Sequence, residues 1–533
     1  MTQATISGNR TRIYLLALLA ALAVMFWLHS RLFAYADDDA YIHFRIAQNL
    51  ATTGQPYFNP DDAVKASSST GWTILLALLI RAAGQAADAH LPAMIAGLNA
   101  LVTAAGALLF TRLLGRLIPP AKKTIFPALF FVLYLAVTVQ PSIGLMESSL
   151  ALLLAGAGLN LLWARRPAAL LFLSAAVFFR LELVILFGLA LTTAYLWQKM
   201  PAGRLLAFSA AGALPFVLFD LYYFETLLPN TITAKAIVYA VHPLLVLRVA
   251  ADSLLPGALP AAANDLWLVV VKIAVTLVAV SVTGYLIFKM NRAAADPMVR
   301  RRAQFAALMA GWGALTLAAY IANSTYIFPW YVPLYAVPLL FAMTQAAAST
   351  SGIGWRTGAA LVLAPFLATQ FAGLGAVMAG AAIDPGLYPA FAAGARVRHY
   401  RAVAKQLYRD YPAATLMTSE IGGLGYGFRG KIVDGAGLVS PEALRYHPMK
   451  IPQERSGGHI GAIPVGLIEE VNPEIIVSYD IFIEAFLKSP VQSRYTRRTQ
   501  PVFLPDDMQR TAEPSLWGSK HLNIFIRTDV AGP

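Results

Sequence analysis

Between residue 13 and residue 381 the chain returns repeatedly to apolar stretches long enough to cross a lipid bilayer. They run over 13–33, 91–114, 124–141, 145–164, 168–181, 183–198, 205–224, 265–288, 303–322, 329–348 and 357–381. This predicts a polytopic α-helical membrane protein with about eleven transmembrane helices. Composition agrees, with 58% hydrophobic and only 13% charged residues over 533 positions; a soluble protein of that size needs about 25% charged residues. The net charge of +13 does not point to nucleic acid, because the basic residues sit in short runs between apolar segments, where they set topology. Arg10 and Arg12 precede an apolar run to Phe33 with no small-residue cleavage site, which reads as a retained first span. There is no cysteine, which excludes disulfides and thiolate metal sites.

Orientation follows from the basic turns. Arg10 and Arg12, then Arg112, Arg116, Lys122 and Lys123, then Arg165 and Arg166, then Lys199 and Arg204 fall on alternate connections. Lys289, Arg292, Arg300, Arg301 and Arg302 follow on the same side, and Arg356 comes last; Asp296 is the one acid among these turns. The positive-inside rule places them in the cytoplasm. The N-terminus is then cytoplasmic, and everything after residue 382 lies on the outer side of the membrane. Three stretches outside the spans remain on that outer side: 34–90, 225–264 and 382–533. The first is too long for a simple connection, and its apolar segment 73–80 reads as an interfacial helix. In the last, strand-like runs at Ala414–Ser419, Lys431–Asp434, Glu474–Tyr479 and Asn523–Arg527 alternate with helical patterns. The expected organisation is a transmembrane domain, 1–381, whose outer loop 34–90 carries an acidic motif, and a C-terminal extracytoplasmic α/β domain, 382–533. No internal repeat is evident, which weighs against an inverted-repeat transporter.

The first outer loop opens with Asp37-Asp38-Asp39-Ala40-Tyr41-Ile42-His43-Phe44-Arg45. Continued as a helix, this segment puts Asp38, Arg45 and Asn49 on one face and Tyr41, Phe44 and Ala47 on others. A carboxylate beside a guanidinium suits two tasks: taking a proton from an acceptor hydroxyl and holding a departing phosphate. Acidic residues at a helix N-terminus are also ordinary caps, and the motif alone leaves both readings open. Asp37, Asp38 and Asp39 offer oxygen ligands to a divalent cation. Consecutive helical residues diverge, however, so a three-Asp cage is disfavoured, and the metal question stays open, a divalent cation being the one candidate cofactor. His43 reads as a surface or packing residue, Glu147 as a helix cap, and Tyr326, Trp330 and Tyr331 as either a sugar pocket or an aromatic belt. The glycine-rich run 422–430 lacks the Lys-Ser/Thr ending of a phosphate loop.

Asp38-Asp39-Ala40-Tyr41-Ile42, Arg45, Asn49-Leu50, Gly54, Asn59-Pro60, Val64 and Ser68-Ser69…Trp72 together resemble the signature of C-superfamily (GT-C) glycosyltransferases. The resemblance is strongest to arabinofuranosyltransferases that use decaprenylphosphoryl arabinose, known from mycobacteria. Gly144-Leu145-Met146-Glu147-Ser148, Phe179-Arg180-Leu181-Glu182 and Leu228-Pro229-Asn230-Thr231…Ala234-Lys235 agree in order, as does Val433-Asp434-Gly435-Ala436-Gly437-Leu438-Val439-Ser440-Pro441-Glu442. The chain departs from the family pattern Val-Glu-Gly-Tyr-Thr-Ser-Pro-Leu-Trp, with Lys65 in place of the acid and Thr70 in place of the proline, and has Leu181 in place of the proline of Arg-Pro-Glu-Gly.

The resemblance implies transfer of one sugar, a pentose such as arabinofuranose or a hexose, from a polyprenyl-phosphate donor. The acceptor would be a cell-envelope glycan or glycoprotein on the outer face. Phosphate is a good leaving group, so such an enzyme needs a base for the acceptor and positive charge for the phosphate. Asp38 is the expected base on helical-face grounds, with Asp39 next. Arg45, Arg180 and Lys235 are the expected phosphate ligands, and Tyr41, Asn49, Glu182, Asn230, Tyr326 and Trp330 the expected sugar and acceptor pocket. Competing readings are a flippase or transporter for a lipid-linked sugar, an oligosaccharide ligase or polymerase, and a membrane receptor. A flippase would place charges near the bilayer midplane, whereas the ionisable residues here cluster at span ends.

Overall fold

A computed structural model describes residues 3–60, 62–119, 122, 125–256, 266–292, 296–349, 353–449, 462–512 and 515–530. Of the turn residues that set the expected orientation, Lys123 lies outside these. In chain order the helices begin with α1 (Gln3–Leu32), α2 (Asp38–Thr53), α3 (Thr70–Ala83), α4 (Gln85–Leu117), α5 (Ile125–Ile143) and α6 (Ser148–Trp163). Next come α7 (Ala169–Val177), α8 (Leu183–Thr192), α9 (Ala202–Phe224), α10 (Asn230–Val238), α11 (Pro243–Leu254) and α12 (Leu266–Arg292). The last long helices are α13 (Pro297–Ala322), α14 (Val332–Ser349), α15 (Ile353–Ala382) and α16 (Phe391–Asp410), followed by the short α17 (Ile421–Phe428).

Every expected span coincides with a helix, but among the described residues only eight helices have the length and apolarity to cross a membrane. The exceptions are α6, α7 and α8. Leu145 and Arg165, both at positive φ, confine α6 to 16 residues between turns. The nine residues of α7 reach only about 14 Å, half of a bilayer core of about 30 Å. The turn at Phe178–Glu182 separates α7 from α8, which continues as a π-helical stretch over Thr193–Trp197.

The chain divides into two compact units. The first comprises residues 1–31, 95–215 and 242–381; the second comprises 32–94, 216–241 and 382–533. In the first unit α14 is buried almost all round, with Phe341 against Phe110 and Phe130 and Phe110 against Tyr134 and Trp312. A helix apolar on every face belongs at the centre of a bundle. By contrast α1, α9 and α12 expose apolar side chains, among them Leu16, Leu206, Leu218, Val270 and Val278, which a lipid surround satisfies.

The second unit holds a five-stranded mixed sheet of β1 (Leu416–Thr418), β2 (Ile432–Asp434), β3 (Ile475–Tyr479), β4 (Tyr495–Pro501) and β5 (His521–Arg527), in the order β2-β1-β3-β5-β4. β1 pairs parallel with β2 and β3, and β5 pairs antiparallel with β3 and β4. Met417, Val433, Ile476 and Phe525 pack under the sheet with Leu467, Ile468 and Phe486. Four of the strands lie where the alternation predicts them. β4 was not expected, because its sequence Tyr-Thr-Arg-Arg-Thr-Gln-Pro is polar and mostly exposed, as suits an edge strand that must repel further pairing.

Candidate functional site

A short turn, Phe33–Tyr35, and Ala36 deliver the chain to the acidic run, and α2 starts at Asp38. Asp37 sits at the N-cap position in extended conformation without a side-chain cap bond, so the run is more than helix punctuation. Gly54, at φ 80°, stops the helix in the left-handed region that glycine enters freely.

Each acid has a different environment. Both oxygens of Asp38 accept backbone hydrogen bonds from the start of α17, at 2.9 Å from Gly422 and 2.8 Å from Gly423. A Cβ on Gly422 would overlap both the backbone carbonyl and the carboxylate of Asp38, so this approach requires glycine. Burial raises the Asp38 pKa, opposed by the Arg396 charge and the two amides. Arg396 itself pairs with Glu420, which also accepts the Tyr400 hydroxyl at 2.5 Å. Asp39 is different: its side chain retains 27% exposure and faces the Lys235 ammonium, itself 21% exposed, at 3.3 Å. Asp37 is pushed up to about 8, mainly by burial and then by the neighbouring charge of Asp39.

Arg45 does other work than phosphate binding. Its Nε donates to the Phe58 carbonyl at 2.7 Å, Nη1 to Gly425 at 2.7 Å, and Nη2 to Gly430 at 2.7 Å and to Asn59 Oδ1 at 3.2 Å. The buried guanidinium lies 4.3 Å over the Phe58 ring and ties three segments of backbone together. Asn49, on the same face, donates to the carbonyls of Tyr57 and Phe58. The shared face of Asp38, Arg45 and Asn49 is thus real, but it meets protein backbone. Tyr41 is buried against Phe44 and Tyr426 and accepts a hydrogen bond from Arg401 at 2.7 Å. His43 packs with its Nδ1 3.2 Å from the Ser67 hydroxyl.

Two of the departures from the family pattern, Lys65 and Thr70, prove to be coupled. Lys65 lies 2.6 Å from Asp220, and the Thr70 hydroxyl donates to the other oxygen of the same carboxylate at 2.8 Å. Lys65 also donates to the Leu227 carbonyl at 2.7 Å, and its own carbonyl accepts from the Asn230 amide at 2.9 Å. The Asn230 side chain donates to the carbonyls of Gly437 and Leu438, in a loop held from inside by Asp434 through the amides of Ala436, Leu438 and Val439. Asn230 is therefore an anchor for α10, the helix that carries Lys235. Sequence reasoning missed Asp220, Arg396 and Glu420; an acid inside the apolar stretch 205–224 was the available signal for the first.

A second polar cluster belongs to the first unit. Arg180 pairs with Glu147 at 2.7 Å and with Glu182, and its guanidinium lies 4.4 Å over the Tyr331 ring. Tyr320 donates to Glu182 at 3.0 Å, Ser148 to the Trp330 carbonyl at 2.6 Å, and Tyr326 and Trp330 both pack on Phe328. Glu147 makes no cap bond at α6; it is 1% exposed and is an ion-pair partner, contrary to the capping expectation. With two carboxylates on one guanidinium, Arg180 is neutralised by protein rather than open to a phosphate. Among the described residues no three His, Asp or Glu side chains gather in a metal-binding arrangement.

No protein-family model matches the chain. Its sequence is 29% identical over 246 residues to the terminal β-(1→2)-arabinofuranosyltransferase of Mycobacterium tuberculosis, covering 42% of this chain and 38% of that protein. The chain thus spans well under half the length of that relative. Its structure is similar to ArnT from Cupriavidus metallidurans, solved bound to undecaprenyl phosphate and in the apo state. The TM-score is 0.51 in both cases, at 13% and 11% identity, over 98% and 99% of this chain and 99% and 100% of those chains. The chain therefore has the membrane-protein fold of ArnT and shares distant sequence similarity with part of an arabinofuranosyltransferase.

Proposed function

We propose that this protein is a membrane glycosyltransferase that moves one sugar from a polyprenyl-phosphate donor to a hydroxyl acceptor. The observation that carries this reading is the partly exposed Asp39–Lys235 pair on the acidic run of the family motif. In the resting protein Lys235 masks the Asp39 carboxylate. An arriving donor phosphate competes for the ammonium and frees Asp39 to accept the acceptor's hydroxyl proton. The acceptor oxygen then bonds to the anomeric carbon as the bond from that carbon to phosphate oxygen breaks, and polyprenyl phosphate leaves against Lys235. Asp38 serves as scaffold here: both its oxygens already hold amides of α17. This reverses the order of the two acids expected from helical-face geometry alone.

The donor sugar in this reading is a pentofuranose and the acceptor an envelope glycan or glycoprotein, with transfer on the periplasmic side of a bacterial inner membrane. The distant arabinofuranosyltransferase homologue supports the sugar, and the undecaprenyl phosphate bound by ArnT supports the lipid carrier. The test is transfer from synthetic polyprenylphosphoryl arabinofuranose to a short glycan by wild type, Asp39→Asn, Asp38→Asn and Lys235→Met. Asp39→Asn is expected to lose about 10²–10⁴-fold in kcat while remaining folded, and Lys235→Met to raise the donor KM. A folded wild type that transfers from no polyprenyl-phosphate sugar, yet moves such lipids across vesicles, would make the protein a flippase.

A further inference from the structure

At the end of the first unit that the charge rule assigns to the cytoplasm, a cavity of about 270 Å³ is lined by Arg165, Arg300 and Arg301 with Thr193, Gln198 and Gln304 among its remaining walls. None of its nine lining residues is acidic. Basic residues are expected at this side of a membrane protein for topology alone. Topology, however, requires only that they be on that side; it does not require three of them to converge on one hollow. Arg165 and Arg301 repel one another there, a cost that an anion in the hollow removes.

The local structure is also unusual. Arg165 leaves α6 at φ 54°, a conformation in which a non-glycine residue is uncommon. Thr193–Trp197 is a π-helical turn, a feature that concentrates at functional sites. Arg301 is fixed by lying 4.1 Å over the Trp163 ring and by donating to the Trp163 carbonyl, while its Nε is buried without a partner among the described residues. Gln198 donates to the Leu162 carbonyl at 3.0 Å, but its Oε1 is likewise buried and unpartnered. The nearby acid, Asp296, caps α13 by accepting from the Met298 amide at 2.7 Å. The first turn of α13 presents its positive dipole end beside Pro297, Arg300 and Arg301.

We infer that this cavity binds a phosphate-bearing anion, the headgroup of an acidic phospholipid of the inner leaflet. Its volume falls just below the roughly 300–1,000 Å³ of drug-sized ligand pockets, which fits a headgroup with the acyl chains left in the surrounding bilayer. Arginine's planar fork suits phosphate oxygens, and basic pockets between membrane helices on this side take such headgroups. The inference is independent of the glycosyltransferase reading, since it uses no residue of that site.

The test is native mass spectrometry of the delipidated full chain in detergent, titrated with phosphatidylglycerol, phosphatidylcholine or glycerol 3-phosphate. Phosphatidylglycerol is expected to bind in preference to phosphatidylcholine, and Arg165→Gln to weaken it about fivefold. Gln304→Glu keeps every arginine, and hence the topology signal, but adds a negative charge to the cavity; it should weaken binding at least as much. Binding of glycerol 3-phosphate alone, lost in the same variants, would support the phosphate site and assign it to a soluble ligand. Equal binding of the two lipids with no glycerol 3-phosphate bound, or a phosphatidylglycerol preference untouched by either variant, would overturn it.

Discussion

Lys65 and Asp220 make a quantitative test of how the second unit is held together. Their side chains are 4% and 1% exposed, so neither charge is solvated once its partner is gone. Lys65→Met leaves a buried carboxylate with only the Thr70 hydroxyl, and Asp220→Leu leaves a buried ammonium with only the Leu227 carbonyl. Breaking a buried pair in this way costs about 3–5 kcal/mol for either variant. The double variant has no orphaned charge. It loses the Thr70 and Leu227 hydrogen bonds, about 1–3 kcal/mol together, and recovers the desolvation of both ions. The two single losses therefore sum to about 6–10 kcal/mol and the double loss to about 1–3 kcal/mol, leaving a coupling of at least about 3 kcal/mol. Reversible unfolding in mixed micelles, titrated with dodecyl sulfate and followed by tryptophan fluorescence, reads all four corners of the cycle. Additive losses, or a cost below about 1 kcal/mol for Asp220→Leu, would refute the claim that the pair acts as a buried unit.

Three further outcomes are expected. Asp37 has its folded pKa raised to about 8 from an ordinary 3.8, so the folded state keeps a proton that the unfolded chain releases as pH rises. The folded state is thus penalised progressively between these values, and Asp37→Asn should gain thermal stability over wild type as pH goes from about 4 to 8; a gap that narrows would contradict this. Gly422→Ala puts a methyl into the Asp38 carbonyl and carboxylate and should cost about 2–4 kcal/mol, whereas the same change at Gly203, which has open space, should cost less than about 1 kcal/mol. Arg180→Met removes the guanidinium that the buried Glu147 pairs with and should destabilise by about 3–5 kcal/mol, with partial rescue by adding Glu147→Gln; an unaffected melting midpoint would rule out the ion-pair role.

How far the sequence carries depends on whether a feature is local. Span positions follow from runs of apolar residues, and four strands from strand-like runs of four to six residues, so both are legible. The lengths of α6 and α7 are not, because they depend on left-handed turns at Leu145 and Arg165, residues with no intrinsic preference for that conformation. The site divides along the same line. Helical spacing correctly put Asp38, Arg45 and Asn49 on one face, but Asp38 and Arg45 also meet partners 380 to 385 residues away, at Gly422, Gly423, Gly425 and Gly430. A charge on a helix face reads as free until the segment that covers it is known, which is why Arg45 looked like a phosphate ligand.

The departures from the family pattern carry the same lesson in the opposite direction. Lys65 and Thr70, taken singly, read as a lost acid and a lost proline. Placed on either side of Asp220 they become one unit: a buried acid of α9 held by the Lys65 ammonium and the Thr70 hydroxyl. Through Lys65 this unit anchors the segment 227–230 and hence the start of α10. Because Lys235 meets Asp39 from α10, the proposed reaction predicts that a substitution at Lys65 raises the donor KM in the same transfer assay through Lys235 geometry, without any contact of Lys65 with the reacting atoms.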